Sequence, residues 1–67
     1  MNLDRYAGLD VEIIYQDKSR RISQRKIRIQ SVRDGKVRAF DLEQKAPRMF
    51  AVEGILAYQP VIRKRFG

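Results

Sequence analysis

The chain has 67 residues, no cysteine, no histidine, no tryptophan, and a formal charge of +7. That length holds one small domain with a thin core, and neither a disulfide nor the Cys and His ligands of a zinc staple are present to support it. Without a thiolate or an imidazole, Cys–His and Ser–His catalysis are excluded.

In chain order, Asn2 to Ala7 allows one helical turn, capped by Asn2 and ended by Gly8. Val11, Ile13 and Tyr15 then run in phase at period two, which predicts a first strand. Asp17 to Arg20 is polar and reads as a turn. Ser23, Arg25, Ile27 and Ile29 alternate with Gln24, Lys26, Arg28 and Gln30, a second strand. Asp34-Gly35 is the strongest hairpin signal, since both residues tolerate positive φ. Lys36 to Leu42 makes a third strand, and Glu43 to Pro47 a polar connection. Arg48 to Val52, with Phe50 and Val52 in phase, makes a fourth strand. Gly54 bends the chain, and Ile55 to Ile62, which contains Pro60, suits an edge or closing strand. Short strands at this spacing predict an all-β fold, a five-stranded antiparallel SH3/Sm-like barrel; an OB fold needs a longer chain. One domain is expected over 1–67, with its core within 9–62 and a basic tail at 63–67.

Charge is concentrated between Lys18 and Arg38, where nine basic residues face the single acid Asp34, a net of +8. Lys18, Arg20, Arg21, Lys26, Arg28, Arg33 and Lys36 in that segment form the expected non-specific basic surface. Such a surface faces a polyanion, with nucleic acid the first candidate, or it keeps a small protein soluble. A further cluster, Arg63-Lys64-Arg65, follows Pro60.

An up-and-down meander gathers Tyr15, Ser23, Arg25, Phe40, Asp41 and Arg48 at one rim. Arg25 is in phase with Ile27 and Ile29, and Arg48 with Phe50 and Val52, so both arginines start on the inward side. An inward arginine snorkels to water, pairs with an acid or binds an anion. One reading is a rim ion pair between Arg48 and Asp41, with Arg25 reaching water. The other is an anion or nucleotide pocket, with guanidinium forks for phosphate and Tyr15 or Phe40 as a stacking platform.

The motifs Ile13-Ile14-Tyr15, Ser23-Gln24-Arg25-Lys26-Ile27, Gly35, Arg38-Ala39-Phe40-Asp41 and Arg48-Met49-Phe50-Ala51-Val52-Glu53-Gly54-Ile55 follow one another between Val11 and Val61. In order and spacing this stretch resembles a WYL domain. Gly35, Lys36 and Val37 stand where the naming tripeptide would be, Ile29 replaces a frequent proline, and Gly54 replaces an arginine. The resemblance implies an Sm-like SH3 barrel that senses a nucleic-acid or nucleotide ligand in bacterial transcription regulation. It implies pocket groups at Tyr15, Ser23, Arg25 and Arg48. It also implies a stand-alone module whose output lies in a separate regulatory or DNA-repair protein.

The leading expectation is therefore a non-enzymatic module that binds single-stranded nucleic acid or a nucleotide-like anion. Its ligand residues are Tyr15, Ser23, Arg25, Arg38, Phe40, Asp41 and Arg48. The alternative is an SH3-like protein-interaction module or a self-associating barrel. The acids show no helical carboxylate pair, and the glycines are scattered and form no phosphate loop, so no catalytic residue, cofactor or metal is expected. No apolar run approaches the ~18–20 residues of a membrane span, and the first ten residues lack a signal core, so a cytoplasmic protein is expected.

Overall fold

The computed structural model describes residues 3–61. Asn2, Ile62 and the Arg63-Lys64-Arg65 cluster lie outside them. Five strands follow in chain order: β1 (Asp10–Gln16), β2 (Ile22–Arg33), β3 (Lys36–Asp41), β4 (Ala46–Ala51) and β5 (Ile55–Pro60). They form one antiparallel sheet in the order β4-β3-β2-β1-β5, so the all-β expectation holds. β4 and β5 are its edges.

Alternation builds the core. Val11 and Ile13 of β1, Ile27 and Ile29 of β2, Val37 and Ala39 of β3, Phe50 of β4 and Ile55 of β5 are buried in one cluster. Strand alternation puts these residues on one face of the sheet, which Leu3 of the N-terminal turn joins in the core. Register shifts lie between Ile29 and Ser31 in β2 and between Ile14 and Tyr15 opposite β5; irregularities of this kind bend a strand.

The N-terminal helical turn is a 3₁₀ turn, Leu3–Tyr6. Leu3 is buried in the core, and the Tyr6 ring meets Tyr58 edge-on at 5.6 Å. Gly8, at φ +84°, turns the chain so that its N–H reaches the Ile29 carbonyl at 2.7 Å.

The turns match their residues. Asp34 and Gly35 have φ of +54° and +73°, the hairpin geometry their pairing predicts. In the β1–β2 turn, Asp17 Oδ1 accepts from the Ser19 N–H, the Ser19 hydroxyl and the Arg21 N–H. The Ser19 hydroxyl, followed by the Arg21 amide, holds the Asp17 carboxyl below its ordinary value.

Several strand boundaries differ from expectation: β2 runs on to Arg33, β3 ends at Asp41 and β5 at Pro60, and β4 is shifted. β4 starts at Ala46 and contains Pro47, which an edge strand tolerates. It ends at Ala51, and Val52 begins the 3₁₀ turn Val52–Gly54 that leads into β5. Pro60 lies on the other edge, as expected. No helix among the described residues is long and apolar enough to cross a membrane.

Candidate nucleic-acid interface

Of the six residues expected at one rim, Ser23, Arg25 and Asp41 are joined by side-chain contacts, and Tyr15 lies opposite Ser23. Tyr15 faces Ser23, and Ile13 faces Arg25, across the β1–β2 ladder. Arg25 Nη1 meets Asp41 Oδ2 at 3.2 Å, and Arg25 Nε donates to Ser23 Oγ at 3.4 Å. Asp41 is 1% exposed. Its Oδ1 also accepts the Glu43 and Gln44 N–H groups, at 3.0 and 2.9 Å. Burial pushes the Asp41 carboxyl up, but the Gln44 and Glu43 amides and the Arg25 guanidinium outweigh it and hold it below its ordinary value.

The expected Arg48–Asp41 pair is therefore corrected: Asp41 pairs with Arg25. Arg48 is exposed, and its Nη2 donates to the Gln44 side-chain oxygen instead. The physical reason is the β3–β4 turn, which places Gln44 beside Arg48 and spends the Asp41 carboxylate on its own amides and on Arg25. With Asp41 and Ser23 on its guanidinium, Arg25 is a neutralised strut and not an open phosphate fork.

Tyr15 is likewise not an open stacking platform. Its ring packs edge-on against Phe50 at 4.9 Å, and its hydroxyl accepts the Ala51 N–H at 3.1 Å. Gly54 lies against it so closely that a Cβ there would fall 2.7 Å from Tyr15 Cε1 and 2.6 Å from the Gln16 carbonyl oxygen. Phe40 is on the other face from Asp41, because β3 alternates buried Val37, Ala39 and Asp41 with Lys36, Arg38 and Phe40.

That alternation creates a second surface. On the outer face of β2, β3 and β4, Ser31 pairs with Arg38 and Arg38 with Met49. Arg28 pairs with Phe40 and Phe40 with Pro47. A groove of about 530 Å³ over this face is lined by Ser31, Val32, Arg33, Asp34, Lys36, Arg38 and Met49. A neighbouring groove of about 430 Å³ shares Arg38 and Met49 and adds Gln30, Pro47 and Arg48. Met49 is 56% exposed, and Phe40 is half-buried. Among the described residues, the ion pairs are Arg25–Asp41 and Arg28–Asp10, so Arg33, Lys36, Arg38 and Arg48 carry uncompensated charge. Asp34 is the acid at this groove.

The basic segment is not one surface. Lys18, Arg20 and Arg21 sit in or beside the β1–β2 turn, and Arg33 and Lys36 at the β2–β3 turn, so β2 separates them by its whole length. Lys26 faces Glu12 across the β1–β2 ladder. Arg28 donates to Asp10 from Nε at 2.8 Å, which raises the Arg28 pKa. Sequence reasoning singled out Arg38 and Phe40, which this face keeps. It passed over Met49 and Pro47 as ligand surface, although the alternation of β4 was the available signal. Among the described residues no group of three or more acids stands together as a metal site.

Comparison with family models, with curated proteins and with solved structures gives no match to this chain.

Proposed function

We propose that this chain binds single-stranded nucleic acid across the outer face of β2, β3 and β4. The observation that carries this is the set of unpaired cations Arg33, Lys36 and Arg38 beside the apolar surface of Met49 and Phe40. Cations alone attract any polyanion. An apolar surface beside them suits a strand whose base faces are open, whereas a duplex keeps its base faces stacked inside. Lys36 and Arg38 are two residues apart on β3, a separation of ~7 Å that lets both meet the backbone of one extended strand.

The order of motifs between Val11 and Val61 supports a WYL-like regulatory module with no enzymatic activity of its own, acting in the cytoplasm. The second reading, a protein-interaction or self-associating module, draws on the two sheet edges and on exposed Ile22 and Leu56.

A competition assay with a labelled hexanucleotide tests the proposal. Unlabelled single strands are expected to displace it, duplex of the same sequence to displace it poorly, and Arg38→Ala to weaken binding. Phe40→Leu should weaken it too, without changing its dependence on salt. Absence of binding by the wild type overturns the reading. A melting temperature that rises with protein concentration would favour self-association instead.

A further inference from the structure

Gln30 has no partner across the β2–β3 ladder. Ile29 pairs with Ala39 and Ser31 with Arg38, so β2 carries one extra residue at this point. A bulge of this kind bends the strand and re-aims the side chain of the residue it leaves over. Bending needs no particular side chain, so the amide of Gln30 calls for its own account. It is exposed, and among the described residues it makes no side-chain hydrogen bond. It lines the groove of about 430 Å³ together with Arg38, Pro47, Arg48 and Met49. A planar group that both donates and accepts therefore stands in a groove between two cations and an exposed thioether.

We propose, on the footing of the single-strand reading above, that Gln30 selects the base that rests on Met49 and favours a purine over a pyrimidine. Arg38 and Arg48 neutralise the flanking phosphates and carry no base preference. The Gln30 amide carries it. A primary amide donates from nitrogen and accepts at oxygen in one plane, which matches a neighbouring donor and acceptor on a base edge. Adenine offers such a pair on two edges, N6–H with N7 and N6–H with N1, and guanine on two, N1–H with O6 and N2–H with N3. The pyrimidines offer it on the Watson–Crick edge alone. A purine also covers more of the Met49 surface than a pyrimidine does. The base can approach because the Gln30 side chain is exposed and makes no hydrogen bond among the described residues.

The test is a titration of labelled oligo(dA) and oligo(dC) hexamers, at fixed salt, with the wild type, Gln30→Ala and Gln30→Glu. The wild type is expected to favour oligo(dA) by roughly five- to tenfold. Gln30→Ala should bring the two affinities together while leaving the salt slope unchanged. Gln30→Glu, which loses the donor but keeps the size, should abolish the preference and weaken both. Circular dichroism of each variant checks that the sheet is intact. A dA-to-dC ratio that is equal in wild type and Gln30→Ala overturns the selection role and leaves single-strand binding standing. Failure of the wild type to bind either oligonucleotide overturns both.

Discussion

At Asp41 the Arg25 guanidinium and two turn amides converge on one buried carboxylate, so its removal strands all three donors at once. Asp41→Ala is expected to cost about 2–3 kcal/mol. That is a large share of the roughly 3–7 kcal/mol available to a domain of this size, about 0.1 kcal/mol per residue. Asp41→Asn keeps an acceptor for the turn amides but offers Arg25 no charge, and should cost less; urea unfolding of the two variants measures the difference. The pH dependence follows from the direction of the shift. The folded carboxyl titrates below its unfolded value of about 3.9, so folding favours the charged form. Its stabilisation is whole above that value and is lost as pH falls through the lower, folded value. Unfolding curves taken from pH 6 downward should show this acid limb in the wild type and a shallower one in Asp41→Asn. The phase of β2 made the inward position of Arg25 legible in the sequence, but not its partner. Arg25 and Arg48 are both in phase with core residues at the same rim, and the choice between them rests on Gln44 intercepting Arg48, a contact set by the path of one turn.

The elements differ in how much of their geometry their residues declare. Asp34-Gly35 announces its turn, whereas Arg20 and Lys45 adopt φ of +67° and +54° with nothing in their chemistry to signal it. Left-handed geometry costs a side-chain-bearing residue ~1 kcal/mol, part of which glycine recovers. Arg20→Gly and Lys45→Gly should therefore each raise the melting temperature by a few degrees. Gly35→Ala should lower it, and purely for conformational reasons, since nothing lies within 4 Å of the Cβ it would add. Calorimetry on the three variants checks the signs. Leu3 shows the limit of periodicity. It belongs to a four-residue turn too short to show a pattern, yet it is buried as deeply as the strand residues. Leu3→Ala should cost about 2–4 kcal/mol and leave the domain close to unfolding, which a denaturant titration will show. Pro47 read as a connection because proline removes a ladder donor, and the structure accommodates it because β4 is an edge.

For the molecule as a whole, the net charge of +7 is divided by the fold. Arg25 and Arg28 are spent on Asp41 and Asp10, Lys26 lies opposite Glu12, and Lys18, Arg20 and Arg21 are carried to the far end of β2. What is left uncompensated in the grooves beside Met49 is Arg33, Lys36, Arg38 and Arg48. Composition revealed the excess of charge, but its division depends on register, which strand alternation alone does not set. The most direct test of the binding face compares two variants of equal charge. One replaces Arg33, Lys36 and Arg38 with alanine, and the other replaces Lys18, Arg20 and Arg21. Binding of a labelled single-stranded oligonucleotide is followed at several salt concentrations. The first variant should lose most of its affinity and about two units of the log–log salt slope, at roughly 0.7 per phosphate contact, while the second keeps a slope near that of the wild type. Equal losses in the two variants would show that net charge alone attracts the strand, and would contradict a defined binding face on β2, β3 and β4.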